Sequence, residues 1–577
     1  MKKIAIYSVL LLTVFAACKK GSNTGGNGNP GGGSGGGGTV TSTDPAVENT
    51  IGFFLDPWTP QNFTIPSFTD TAIPTANTTT YVTIDASKII TKVPKSVFGN
   101  NANIWMTQMV TEAPLMNHIK NLKPNIIRFP GGSISDIFFW NALPNQKPAD
   151  APATLLNDAG VATTAGYWYG KNTDWWTLSL DNYYNMLQQT GNEGMITVNY
   201  GYARYGTGPN PVAQAAHLAA DWVRYDNGRT RYWEIGNESN GTWEAGYRIN
   251  TATNQDGQPA VITGALYGQH VKVFIDSMKK AAQDIGKTIH IGVYLLEKQP
   301  EGWQTPIDQS WNGGVLTNSS NKADYYVIHS YYTPYQTNAS ADQILATATN
   351  NTAAMMSYVK SSITSNGAAI KPIALNEWNI TSQGAMQQVS YINGMHAAIL
   401  LGESIKNKYG MTSRWDFANG WDNGNDHGLF NIGDEPAGVS KWNPRPAFYY
   451  MYYFQKMIGD RMLPSTVTGS SVLAYASSYT SGEKAVILVN KSNTAETATV
   501  LLENAKAGSR FYWYTLTGGT DNGDFSRKVF VNGRGPTETS GGPAGEYSTL
   551  KAYSAATANG IKIGLPARSV AYVVMDK

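Results

Sequence analysis

Glu238, in RYWEIGNESNGTW (231–243), follows an asparagine and closes an apolar segment just before small and polar residues. Glu377 is set the same way in PIALNEWN (372–379), again directly after an asparagine. Two carboxyls facing each other can cut a glycosidic bond. One gives a proton to the leaving oxygen, while the other attacks the anomeric carbon or activates water. The donor must hold its proton near working pH, and the attacking group must stay ionised. Arg128, in NIIRFPGG (125–132), is a candidate for keeping such a carboxylate charged. The Tyr331 hydroxyl, in YYVIHSYY (325–332), could donate to it as well. Period-two alternation puts His329 and Tyr331 on one strand face, and Glu234, Gly236 and Glu238 on one face of another. Glu234 then reads as a buried, hydrogen-bonded neighbour rather than a reactant.

These residues can meet only if their strands converge. From about residue 96, β-rich runs alternate with helical patterns: SVFGNNANIW, NIIRFPGG, MITVNYG, YWEIGNE, HIGVYLLE, YYVIHSYY, PIALNEWN and TSRWDFANG. Amphipathic stretches such as PVAQAAHLAADWVRY and YGQHVKVFIDSMKKAAQDIG lie between them. Parallel strands need crossovers that cover the sheet, so eight such repeats predict an α/β fold, a (β/α)₈ TIM barrel over 96–459. A doubly wound open sheet is the rival, but no glycine-rich dinucleotide fingerprint follows the first strand. In such a barrel the active site lies at the C-terminal strand ends, where Arg128, Asn237, Glu238, His329, Tyr331 and Glu377 are placed. Trp415 on the eighth strand is a candidate floor for a sugar site. Trp175 and Trp176 could be sugar platforms or packing residues.

After about 460 the pattern becomes short alternating runs around turn residues, as in SSVLAYASSYTSGEKAVILVNKS, which predicts a C-terminal antiparallel β-sandwich over 460–577. The alternating TTYVTIDASKI (79–89) can lend that sandwich a strand from the N-terminal segment 46–95, whose Pro- and Thr-rich part (46–78) reads as a surface wrap. GWDNGNDHG (420–428) clusters Asp422, Asp426 and His427, but its spacing does not match an EF-hand loop, and no metal or cofactor is assigned.

The order of these motifs resembles the retaining glycoside hydrolases of clan A. There the acid/base is the Glu of an Asn-Glu pair on strand four, and the nucleophile is a Glu on strand seven. Carried over, the resemblance implies Glu238 as acid/base, Glu377 as nucleophile, and Asn237 as the ligand of the sugar 2-hydroxyl. RFPGG resembles the strand-two motif of glycoside hydrolase family 51, the α-L-arabinofuranosidases, and VIHSYY resembles the clan's His-x-Tyr pattern on strand six. That family also pairs its barrel with a C-terminal β-domain. Two departures stand out: FGNNANIW lacks the Glu usual near the end of strand one, and RFPGGSISD is equally similar to heparanase-like β-glucuronidases. The resemblance implies action on plant or algal polysaccharides or oligosaccharides, with α-L-arabinofuranosidase favoured and β-xylosidase, β-glucuronidase or endo-glycanase action as alternatives. A non-catalytic glycan-binding lipoprotein is the rival of another class. The expected carboxyl separation is about 5–5.5 Å, against ~9 Å for inversion.

A net charge of +2 lacks the basic field of a nucleic-acid binder. The single cysteine excludes an internal disulfide. MKKIAIYSVLLLTVFAAC has a basic start, an apolar run and small residues before Cys18, and FAAC resembles a bacterial lipobox. The resemblance implies a signal peptide over 1–17 and lipidation of Cys18, with the outer membrane or cell surface of a Gram-negative bacterium as the expected location. The Gly-rich segment 18–45 then reads as a flexible tether with a reach of about 25–30 Å. The expected partners are a carbohydrate substrate and, through the lipid alone, a membrane.

Overall fold

The structure, a computed structural model, describes residues 42–469 and 471–577; the predicted leader, Cys18 and nearly all of the tether lie outside these described residues. Eight parallel strands close into a barrel: β1 (Gly99–Asn101), β2 (Ile126–Phe129), β3 (Glu193–Val198), β4 (Thr230–Ile235), β5 (His290–Tyr294), β6 (Tyr325–Tyr331), β7 (Ile373–Asn379) and β8 (Met411–Arg414). They are the eight predicted runs in the predicted order. β8 returns to β1 through Ser413 opposite Gly99. A Cβ on Gly99 would lie 2.3 Å from Ser413 Oγ and 2.4 Å from the Thr412 carbonyl, so closure needs a glycine there.

One long helix follows each strand: α1 (Ala113–Leu122), α2 (Leu180–Thr190), α3 (Pro211–Asp226), α4 (Gly264–Asp284), α5 (Pro306–Asn318), α6 (Ala341–Ser365), α7 (Tyr391–Lys406) and α8 (Pro446–Met457). The strands carry mostly apolar side chains, and Arg128, His329, Tyr331 and Glu377 are polar exceptions towards their C-terminal ends. α7 is buried along almost its whole length, because the barrel covers one side and the β-domain the other.

The second region is a two-sheet sandwich. One sheet runs in the order Phe68–Asp70, Ala552–Ala556, Arg510–Gly518, Ser569–Met575, Lys484–Asn490, Val472–Ser478, Arg461–Leu463, Thr91–Lys92, with Val529–Val531 beside Arg510–Gly518. The other runs Ser465–Thr468, Thr80–Asp85, Glu496–Glu503, Ile561–Leu565. Val82, Ile84, Val486, Leu488, Val500, Phe511, Ile563 and Val573 fill the space between them. Two pairings are parallel rather than antiparallel: Phe68–Asp70 with Ala552–Ala556, and Thr80–Asp85 with Glu496–Glu503. Both involve strands that precede the barrel in sequence. Among the described residues no helix is long and apolar enough to cross a membrane.

The N-terminal segment 46–78 departs from a surface wrap at one place, since its residues beyond Leu55 are exposed or half-buried while Ile51 and Phe54 are fully buried. Its short turn Gly52–Leu55 plugs the bottom of the barrel. Phe54 is fully buried against Tyr232 and Tyr325, at ring distances of 5.0 and 5.6 Å, and Phe53 stacks on His290 at 3.7 Å. A Cβ on Gly410 would lie 2.4 Å from the Phe54 ring, so the chain before β8 is shaped to the plug. Phe54→Ala is expected to cost about 3–5 kcal/mol, read as a lower denaturation midpoint, with the catalytic face unaltered.

Candidate active site

The site grows from one arginine. Arg128 stands near the end of β2, fully buried, and its guanidinium serves four side chains. Nε donates to Glu234 Oε2 at 2.7 Å, Nη2 to Asn237 Oδ1 at 2.8 Å, and Nη1 to both Asn101 Oδ1 and Glu377 Oε2 at 3.0 Å. Burial opposes its charge, but the Glu234 and Glu377 carboxylates outweigh that and raise its pKa. Glu234, also fully buried, accepts from Thr197 at 2.8 Å and Asn376 at 3.0 Å on the same oxygen. Burial would keep it neutral, yet Arg128 and His329 hold its pKa at about 2. Glu234 is therefore the anionic footing under the site, the neighbour that the sequence suggested.

Glu377, on β7, receives the Tyr331 hydroxyl at 2.5 Å on one oxygen and Arg128 on the other. His329 Nδ1 lies 2.9 Å from Glu238 Oε1 and 3.7 Å from Glu377 Oε2, while its Nε2 lies 3.6 Å from Glu234 Oε1. One oxygen each of Glu238 and Glu377 and one ring nitrogen of His329 all lie within 4.8 Å of one another. The predicted Arg128, Asn237, Glu238, His329, Tyr331 and Glu377 thus converge in one place.

The route by which Glu238 gets there differs from the alternation argument. β4 ends at Ile235; Gly236 then takes φ +72° and Glu238 φ +39°. Period-two alternation holds only for extended backbone, so Glu238 reaches the centre through a left-handed turn, a conformation costly for a residue with a Cβ. Two buried acids hold that turn. Asp136 accepts the backbone N–H groups of Tyr200 (3.0 Å), Gly201 (3.1 Å) and Asn237 (3.2 Å), joining the ends of β3 and β4. Glu244 accepts from Asn237 Nδ2 at 2.9 Å and from Ser133 at 2.7 Å, and burial pushes its pKa well above the carboxylate range. The Asn237 amide, expected to meet a sugar 2-hydroxyl, is thus already engaged at both ends, by Arg128 and Glu244. Asp136 lies within the quoted RFPGGSISD and Glu244 just beyond RYWEIGNESNGTW; an acid inside a stretch of small residues was the available signal.

Trp415 is 8% exposed, and its indole lies against the RFPGG loop. A Cβ on Gly131 or Gly132 would approach that ring to 3.0 or 2.9 Å, and both glycines have positive φ. The two glycines of the motif therefore make room for the tryptophan beside the arginine. Asn101, in the FGNNANIW stretch that lacks an acid, supports Arg128 from β1. The 420–428 loop does not converge on an ion. Asp426 pairs with Arg445 at 2.5 Å, His427 is engaged with the Ser382 carbonyl, and Asp422 bonds only Asn425.

The electrostatics divide the carboxyls. Burial raises the Glu377 pKa and Glu238 adds to this by like-charge repulsion, while His329 and Arg128 oppose it. Burial would neutralise His329, but Glu377, Glu234 and Glu238 together raise its pKa from 6.5 to about 10. Because the folded pKa lies above the unfolded one, the histidine's contribution to stability is complete below about pH 6.5 and is lost as pH rises towards 10. The melting temperature is expected to fall across that window, and to fall less in His329→Gln.

Residues 118–344 match the family model described as the alpha-L-arabinofuranosidase 1 domain. An intracellular exo-alpha-(1->5)-L-arabinofuranosidase of Bifidobacterium longum is 23% identical over 227 residues. That match covers 38% of this chain and 34% of the relative, so the aligned part is about a third of that enzyme's length. An alpha-L-arabinofuranosidase of Thermotoga maritima, solved as an arabinose complex, superposes with a TM-score of 0.59 at 15% identity, covering 86% of this chain and 99% of that one. A family 44 xyloglucanase of Paenibacillus polymyxa gives 0.56 at 10% identity, covering 87% and 100%. At such identities the superpositions speak for the fold alone. Over residues 118–344 the chain is thus similar in sequence to α-L-arabinofuranosidases, and in fold it is similar to glycoside hydrolases that include them.

Proposed function

We propose that the chain is a retaining glycoside hydrolase that releases α-L-arabinofuranosyl groups, with Glu377 as nucleophile and Glu238 as acid/base. The observation that carries the reading is the approach of the two carboxyls to within 4.8 Å, with unequal company. Glu377 has two donors, Arg128 and Tyr331; Glu238 has only His329.

In the first step a Glu377 oxygen bonds to the anomeric carbon as the glycosidic bond breaks. Its electron pair goes to the leaving oxygen, which takes the Glu238 proton. In the second step Glu238 removes a proton from water, the water oxygen attacks the same carbon, and the Glu377 ester bond breaks. Arg128 and Tyr331 accept returning charge on the Glu377 carboxylate, which makes it a good leaving group.

The arabinofuranosyl preference draws on the family model and on what the Bifidobacterium longum relative is said to cleave. Hydrolysis of a panel of aryl α-L-arabinofuranosides, β-xylosides and β-glucuronides tests it. The arabinofuranoside is expected to react fastest, and a faster β-glycoside would reassign the sugar while keeping the mechanism. Lipidation of Cys18 belongs to the same proposal, since a tethered enzyme would meet polysaccharide outside the cell. Fatty-acid labelling that is lost in Cys18→Ala would support it.

A further inference from the structure

Lys456 is the penultimate residue of α8. Its neighbour Gln455 donates to the Lys123 carbonyl, just ahead of β2, so this end of the helix lies at the N-terminal face of the barrel, away from Glu238 and Glu377. The Lys456 ammonium lies 5.2 Å from the centre of the Tyr514 ring, 5.5 Å from that of Tyr452 and 5.8 Å from that of Tyr453. Aromatic faces attract a cation but leave its charge uncancelled. Among the described residues no carboxylate pairs with this ammonium and no oxygen accepts from it. Burial alone acts on it, and lowers its pKa below the usual lysine value.

The lysine opens on a cavity of about 400 Å³ between α8, the N-terminal segment 61–67 and the sandwich. Phe63, Met457, Tyr514 and Leu550 supply apolar walls. Tyr479 lines the cavity as well; it is 6% exposed, and its hydroxyl has no partner. Burial raises the pKa of that hydroxyl, which therefore keeps its proton and can donate it to a hydrogen bond. The walls are held in place without an occupant. The Gln61 N–H donates to Asp460 at 2.6 Å, the Phe63 N–H to Ser481 Oγ at 2.9 Å, and the Tyr514 hydroxyl to the Leu550 carbonyl at 3.0 Å. Asp460, the acid at this edge, is committed to Gln61, Thr480 and Arg461.

A shielded ammonium without a counter-charge and a buried hydroxyl without an acceptor are both costly, and one anion answers both. The donors set its charge. One ammonium and one neutral hydroxyl match the two oxygens of a carboxylate. A phosphate dianion calls for a guanidinium or a nest of backbone N–H groups, and among the described residues no arginine lines this cavity. The volume lies in the range of small-molecule sites, and the apolar walls suit a ring or a short hydrocarbon.

We infer that this cavity binds a small monocarboxylate with an apolar body. The carboxylate sits between Lys456 and Tyr479, and the body lies against Phe63, Met457 and Leu550. The site is remote from the paired glutamates and does not depend on the reaction proposed for them.

The test is titration calorimetry of the full chain with cinnamate as probe. One molecule is expected to bind per chain with a Kd below ~1 mM. Lys456→Met is expected to weaken binding at least ~tenfold, and Tyr479→Phe about fivefold. Glucuronate, with the same charge on a polar body, is expected to bind at least ~tenfold more weakly than cinnamate. Tyr479→Phe deletes a single oxygen, so it reads the site even where Lys456→Met is unstable. Hydrolysis of an aryl α-L-arabinofuranoside is expected to be the same in both variants as in the unmodified protein, which separates this site from the catalytic one. No saturable binding of cinnamate, unchanged affinity in the two variants, or glucuronate bound as tightly as cinnamate would each overturn the inference.

Discussion

Glu377→Ala is expected to lower turnover of an aryl α-L-arabinofuranoside by at least ~10⁴-fold, because no other carboxylate can form the glycosyl ester. Asn101, Asn237 and Tyr331 around that position are neutral, and Glu234 is held away from it by Arg128, Thr197 and Asn376. The vacated space beside Arg128 can admit a small anion. Azide should therefore restore part of the rate and give a glycosyl azide of inverted configuration, since a single displacement replaces two. Gas-phase or NMR assignment of the azide product checks this. Unaltered turnover in the variant would remove Glu377 from the chemistry.

Glu238→Ala should behave differently, and the difference assigns its role. Loss of a general acid costs about 10²–10⁴-fold with a poor leaving group, and far less with one that departs unprotonated, such as 2,4-dinitrophenolate. With the activated substrate the first step is spared while water attack is slowed. A burst of phenolate is expected, followed by a slow steady state, and azide should here give the retained glycosyl azide. Equal losses for good and poor leaving groups would show that Glu238 does not protonate the leaving oxygen. His329→Gln offers a milder counterpart, since it removes a contact to Glu238 and Glu377 together and leaves both carboxyls in place.

The sequence was most readable where chemistry and periodicity coincide. Most barrel strands are largely apolar runs with polar residues at or just beyond their ends, so strand order and the convergence of Arg128, Glu238, His329, Tyr331 and Glu377 followed from counting. It was least readable where a contact depends on the closed fold. The GFFL turn looked like part of a surface segment, because nothing local tells that Phe54 will enter a ring of Tyr232, Tyr325 and Gly410. The alternation that put Glu238 beside Glu234 stopped at Ile235, where a glycine and a positive φ replace the strand. Asp136 and Glu244 went unassigned for a related reason: their work is to hold that turn and the Asn237 amide from loops distant in sequence. RFPGG carried more than its arginine, since its two glycines admit the Trp415 ring.

The central claim is that Glu377 becomes a glycosyl ester during turnover. Peptide mapping by mass spectrometry of Glu238→Ala, quenched soon after mixing with 2,4-dinitrophenyl α-L-arabinofuranoside, reads it directly. The account predicts one pentosyl adduct, carried by the peptide that contains Glu377. An unlabelled Glu377 peptide, with release of a sugar of inverted configuration, would contradict it.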